Sequence, residues 1–301
     1  MTLAEYVARQ QSRIDAALQR WVPAQTALPE SIHKAMRYSL FAGGKRIRPI
    51  LCMAAAEAVS DSALGIESCA CTLELIHTYS LIHDDLPALD NDDLRRGVAT
   101  CHKVFGDAIA ILAGDALLTL AFQVLAQMDC PTCRGPADGH ARKVALIAEL
   151  AAAAGTVGGM IGGQVCDLEG EGRFPQAALL EAIHRAKTGA LLRASLRMGA
   201  IYAGADDEQA GALSCFGEHI GLAFQIVDDV LDVEQSSEAL GKTAGKDAQQ
   251  HKITFPAVYG LERSRQMAEE ERQAAHRALL PFHDRAARLR ELADFIVQRR
   301  A

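Results

Sequence analysis

A chain of 301 residues, half of them hydrophobic, can bury a large core, and its length allows two domains without requiring them. The formal net charge of −7 excludes the global basic field carried by nucleic-acid binders, so any positive charge that matters is local. Aromatic residues supply only 5%, with Ala and Leu dominant, which favours helix over sandwich or barrel.

Helical periodicity runs nearly throughout, and no run alternates strictly enough to argue for a sheet. The start, Met1-Thr2-Leu3-Ala4-Glu5-Tyr6, shows neither a basic nor an apolar leader pattern, so a soluble, cytoplasmic protein is expected. An amphipathic first helix ends at a break over residues 22–29. A second break, Ala42-Gly43-Gly44, precedes the basic cluster Lys45-Arg46-Ile47-Arg48. The apolar run 73–81 then leads into Asp84-Asp85-Leu86-Pro87-Ala88-Leu89-Asp90, followed by Asp92, Asp93, Arg95 and Arg96.

Residues 108–128 and 144–163 are long and apolar enough to mimic membrane spans. Each carries an internal acid (Asp115, Glu149), and buried core helices are the better reading. Residues 129–140, rich in Pro, Gly and Cys, read as a surface loop; Cys130 and Cys133 read there as reduced thiols without a function. Gly158-Gly159 and Gly162-Gly163 lack the preceding strand of a dinucleotide site, and small residues at this spacing let helices approach closely. Gln164 and Asp167 follow, on the side expected to face a cavity. A Gly-rich polar turn is expected over 169–175, and Lys187-Thr188-Gly189 comes next. The apolar run 220–227 then leads into Asp228-Asp229-Val230-Leu231-Asp232. Residues 234–252, with Gly241, Lys242, Gly245, Lys246 and Lys252, read as a long polar loop, of the kind that is a functional lid or a disordered segment.

The carboxylates carry the chemistry. Burying them is expensive unless cations compensate, and oxygen-only clusters suit magnesium, which takes one or two carboxylates plus substrate phosphates. Asp228 and Asp232 lie within about 40° of each other on one helix face, with Asp229 flanking and Gln225 one turn earlier. Asp84 and Asp90 would stand about 240° apart on a straight helix. Pro87 disrupts the helix near that point, so Asp90 can swing back toward the same ion. The Arg and Lys groups are typical diphosphate ligands. His77, Ser80 and Asp84 share one stripe of their helix.

Together these motifs resemble the trans-isoprenyl diphosphate synthases, most closely the bacterial farnesyl diphosphate synthases. Residues 81–97 are similar to the family's first aspartate-rich motif and 224–232 to its second; residues 43–49, 187–189 and 241–247 complete the set. The resemblance implies an all-α, single-domain bundle over 1–301, with about ten core helices around a deep central cavity, assembled as a homodimer. It implies that Gly44, Lys45, Arg48, His77 and Arg96 bind isopentenyl diphosphate. Arg95, Lys187, Thr188, Gln225 and Lys242 would grip the allylic diphosphate. Asp84, Asp85, Asp90 and Asp228, with Asp229 and Asp232 in support, would bind three magnesium ions, and Asp84, Asp85, Asp90, Arg95, Lys187, Asp228 and Lys242 would be catalytic. Tyr79 and Ser80 would set chain length, with a bulky Tyr79 as the floor that stops growth at farnesyl. The family often has a basic C-terminal tail; here the end is Arg299-Arg300-Ala301, a departure.

The alternatives are a geranyl or geranylgeranyl diphosphate synthase, a terpene cyclase and a non-catalytic partner subunit. A cyclase would not need the basic cluster at 43–49 or the second aspartate motif. A silent subunit typically loses one such motif or the loop lysines.

Overall fold

The high Ala and Leu content, broken at few points, produces an almost wholly helical chain in the computed structural model, which describes residues 1–61, 63–170, 176–234 and 253–298. Two compact units are distinguished, residues 1–53 with 64–147 and residues 54–63 with 148–301.

The first unit begins with α1 (Leu3–Trp21), started by a capping box in which Thr2 Oγ1 accepts from the Glu5 amide and the Glu5 carboxylate accepts from the Thr2 amide. α2 (Glu30–Leu40) follows the break over 22–29, and α3 (Ile47–Val59) follows the Gly43-Gly44 turn. α4 (Ile66–Asp84) is buried almost all round, which is why its sequence shows little amphipathic contrast. It packs on α1 and α6. α5 (Cys101–Phe105) and α6 (Asp107–Gln127) come next.

Among the described residues, α6 and Asp207–Glu234 are long and apolar enough to cross a membrane by length and composition. Both pack within their own units, α6 on α4 and α2 and the other on two neighbouring helices. The second stretch singled out from sequence, 144–163, is not one helix. α7 (Pro136–Ala154) ends before a bend at Gly155, and α8 runs over Met160–Gly170.

Three expectations need correction. A two-stranded hairpin, β1 (Leu94–Arg95) against β2 (Val98–Ala99), interrupts the helices. Its turn has positive φ at both Arg96 (54°) and Gly97 (78°), the arrangement that matches strand twist in two-residue hairpins. The surface loop expected over 129–140 ends early, because Pro136 opens α7 with a φ already suited to a helix start. Finally, Cys130 and Cys133 form a disulfide: a turn closed by the Cys133 amide on the Cys130 carbonyl (3.1 Å) brings their Cα atoms to 5.7 Å.

In the second unit, α9 (Ala177–His184), a π turn (Arg185–Gly189) and α10 (Ala190–Ala203) form one continuous helical stretch. α11 (Asp207–Glu234) packs on α10 and on α13 (Leu261–Ala278), which buries the small residues Ser264, Ala268 and Ala275. α12 (Phe255–Tyr259) and α14 (Ala287–Gln298) complete the unit. An apolar cluster of Leu222, Ile226, Val227, Leu231, Ile253 and Phe255 holds the C-terminal half of α11. The expected loop at 234–252 and the tail 299–301 lie outside the described residues apart from Glu234, which ends α11. The turn expected at 169–175 lies outside them beyond Gly170, which ends α8.

Candidate active site

The first aspartate cluster takes its shape from the way α4 ends. Pro87 stops the helix, and the chain folds back: the Asp90 amide donates to the Asp84 carbonyl (2.8 Å) and the Asp92 amide to the Asp85 carbonyl (3.2 Å). The six-residue separation of Asp84 and Asp90 is thereby closed through the backbone, as Pro87 led us to expect.

Asp85 is buried, and Arg95 reaches it from the hairpin (Nε to Oδ1, 2.9 Å), with Asp92 3.7 Å from the same guanidinium. Burial pushes the Asp85 carboxyl up, and the Arg95 fork opposes that shift. Asp93 points elsewhere and pairs with Lys103 at 2.9 Å.

The basic loop supports the hairpin. The φ of 132° at Gly44 calls for glycine, and the Arg96 guanidinium lies against it, within 2.9 Å of where a Cβ would stand. Arg96 donates to the Gly43 carbonyl, and Tyr38 Oη donates to the Ala99 carbonyl (2.7 Å). His77 is held neutral: burial and the nearby Arg48, Arg96, Arg95 and Arg46 keep its pKa well below the usual histidine range.

Arg46, in the middle of the basic cluster, turns the other way. With φ of 51° it enters the core, where its guanidinium meets Glu74 (2.6 Å), the Leu40 carbonyl (2.7 Å) and Asp15 (3.2 Å). From sequence it is one member of a basic cluster read as a whole as diphosphate-binding. Its inward turn leaves Lys45 and Arg48 on either side of a fixed point.

Lower on α4, Ser80 Oγ bonds back to the His77 carbonyl (2.9 Å), as helical serines do. Tyr79 is 5% exposed, and burial together with Asp84 pushes its phenol up to about 12.

In the second unit the π turn carries Lys187 and Thr188 at the closest approach of α8. A Cβ on Gly163 would stand 2.6 Å from Lys187 Cα, so this glycine admits a neighbouring backbone as expected, whereas Gly159 and Gly162 close on the chain's own bend at 152–156 and Gly158 faces open space. Lys187 Nζ pairs with Asp167 at 2.6 Å. Thr188 donates to Gln225 Oε1 (3.0 Å), and Gln225 Nε2 donates to Asp229 Oδ1 (2.8 Å).

The other Asp229 oxygen accepts from the Phe255 amide (2.9 Å) and faces His184 Nε2 at 3.5 Å, whose ring stacks on Phe255. Asp229 thus ties α11 to α12 and orients Gln225. His184 went unnoticed in the sequence; a lone histidine just before Lys187-Thr188 gave no signal. Lys242 lies outside the described residues.

Among the described residues no group of three or more His, Cys, Asp or Glu converges as a metal cage. Magnesium seldom uses an all-protein cage, and the aspartate oxygens present are the hard donors it takes alongside phosphate oxygens.

Residues 29–288 match the family model described as polyprenyl synthetase. The chain belongs to that family. Polyprenyl synthetases similar to it include the heterodimeric geranylgeranyl pyrophosphate synthase large subunit 1 of Arabidopsis thaliana, 48% identical over 98% of this chain and 78% of that one. They also include the farnesyl diphosphate synthase of Geobacillus stearothermophilus, 44% identical over 99% of this chain and 98% of that one. Among solved structures, an FPP/GFPP synthase from Zymomonas mobilis superposes with a TM-score of 0.85 at 35% identity, covering 98% of each chain. As a polyprenyl synthetase the chain is a prenyltransferase of isoprenoid biosynthesis, acting on isoprenyl diphosphates, and its all-helical architecture is that of the family's synthases.

Proposed function

We propose that this prenyltransferase is a magnesium-dependent farnesyl diphosphate synthase, working as a cytoplasmic homodimer with 1–301 as one catalytic domain. It would join isopentenyl diphosphate head-to-tail to dimethylallyl and then geranyl diphosphate. The observation that carries the farnesyl assignment is Tyr79, a bulky side chain 5% exposed, five residues before Asp84 on α4. That spacing is about 7.5 Å along the axis, room for a short prenyl tail above a phenol floor.

In this reading Arg95, Lys187, Thr188, Gln225 and Lys242 hold the allylic diphosphate, and Lys45, Arg48, His77 and Arg96, with the Gly44 backbone, hold isopentenyl diphosphate. Three magnesium ions would be held by Asp84, Asp85, Asp90 and Asp228, supported by Asp229 and Asp232. Bound there, magnesium neutralises charge developing on the leaving diphosphate. The cationic side chains stabilise the same developing charge as the allylic C–O bond breaks. The isopentenyl double bond then attacks C1 of the allylic cation, a C–C bond forms, and the proton lost in restoring the alkene passes to the released diphosphate. Asp85 and Arg95 contribute by neutralising each other until substrate arrives, and neutral His77 donates a hydrogen bond without adding charge.

A second reading, a geranylgeranyl diphosphate synthase, is favoured by the plant relative so named. Product analysis tests both. Purified protein is given isopentenyl diphosphate with dimethylallyl or geranyl diphosphate, with and without magnesium, and the dephosphorylated alcohols are resolved by length. Magnesium-dependent farnesol is the expected result. A C20 alcohol as the main product moves the chain to the second reading, and cyclic hydrocarbons or no condensation would refute both.

A further inference from the structure

His83 stands between the floor residue and the first aspartate, and no step above uses it. It lies one turn from Tyr79, and the two rings meet edge-on with centroids 5.8 Å apart at 75°. Its Nε2–H donates to the Ile111 carbonyl on α6 (3.0 Å), with the Asp115 carboxylate 3.9 Å away. The ring fits there only because residue 114 is glycine. A Cβ at that position would come within 2.6 Å of His83 Cδ2 and 2.9 Å of Cε1, and closer still to Nε2. The imidazole therefore sits in a notch of α6, anchored to its backbone.

Tyr79 has no comparable anchor. Its hydroxyl is buried without a hydrogen-bond partner among the described residues, so no directional bond of its own fixes the ring. A helical tyrosine has two open χ1 wells. A floor stops chain growth only while its ring stays in one of them.

We propose that His83 is a positioning residue for product length: seated in the Gly114 notch, it holds the Tyr79 ring from the side. The proposal rests on the reading of Tyr79 as the floor. It gives His83 a role in specificity that is separate from diphosphate binding, since its ring nitrogen is committed to α6.

The test compares Tyr79→Ala, His83→Ala, Gly114→Ala and the His83→Ala/Gly114→Ala double variant for product length from dimethylallyl and isopentenyl diphosphates, with KM and kcat for each substrate. Edge-on aromatic pairs set the scale, so His83→Ala should raise the ratio of C20 to C15 product about two- to tenfold with both KM values unchanged. Gly114→Ala expels the ring and should raise it similarly, and the double variant should do no more than His83→Ala alone. Should Gly114→Ala not fold, His83→Ala carries the test. Longer products from Tyr79→Ala with wild-type products from His83→Ala would overturn this proposal alone. Unchanged products from Tyr79→Ala would remove the floor reading, and this proposal with it. Additive effects in the double variant would also refute it, because two routes to one displaced ring cannot add.

Discussion

Replacing Arg46 by Met should destabilise the first unit by about 3–5 kcal/mol, the usual cost of removing one partner of a buried ion pair. The magnitude follows from burial. The Arg46 and Glu74 side chains are each 3% exposed and 2.6 Å apart, so Glu74 would be left charged and without its counter-ion in the core. The Leu40 carbonyl would also lose its donor, whereas Asp15, 47% exposed, would return to water at little cost. The double variant Arg46→Met/Glu74→Leu removes both charges and should recover to within about 1–2 kcal/mol of wild type. Trp21 is the one tryptophan in the chain and lies in the first unit, donating to Ser68 Oγ at 3.2 Å, so its fluorescence follows that unit during urea unfolding. With a slope of about 2 kcal/mol per molar urea, the midpoint of Arg46→Met should fall by about 1.5–2.5 M. A shift under about 0.5 M, or a double variant as unstable as the sum of the singles, would refute the reasoning.

Gln225→Leu removes the acceptor for Thr188 and the donor to Asp229 Oδ1, and should raise KM for the allylic diphosphate about tenfold while leaving KM for isopentenyl diphosphate near wild type; equal changes in both would count against it. Gly163→Ala drives a Cβ into the backbone at Lys187, so a loss of about 1–3 kcal/mol in thermal unfolding and a lower kcat are expected. His77 gives a pH dependence of definite sign. Its folded pKa lies below the ordinary value of 6.5, so the unfolded chain takes up the proton first. Stability should fall as pH drops below about 6.5, by at most about 1.4 kcal/mol per pH unit, and His77→Asn should flatten that slope in Trp21-detected melts.

Periodicity and spacing carried much of the fold and part of the site. Pro87 announced the fold-back that joins Asp84 to Asp90, because proline's effect on a helix is local. The 3.6-residue period placed Gln225 and Asp229 one turn apart. The inward turn of Arg46 was illegible, since its partners Glu74 and Asp15 come from other helices and a positive φ at a non-glycine leaves no trace in composition. The hairpin was illegible for another reason: strands of two residues are shorter than any alternation a sequence can display, although Arg96-Gly97 did hold a turn-forming glycine. The partners of Asp229, Phe255 and His184, lie 26 and 45 positions away in the chain, beyond any local pattern.

The π turn at Arg185–Gly189 has a consequence for how this chain can vary. It inserts a wider loop of backbone into an otherwise continuous helix, so deleting a single residue there would let the stretch relax to an ordinary α-helix. The bulge absorbs that extra residue, so α10 would keep nearly its phase relative to α9 and the change would fall on the residues of the bulge itself, Lys187, Thr188 and Gly189. Gly189 would lose its register with Gly221 and Thr188 its bond to Gln225, while the rest of α10 kept its length and composition. The segment should therefore accept many substitutions yet reject a one-residue deletion, so that its length is held more strictly than most of its side chains.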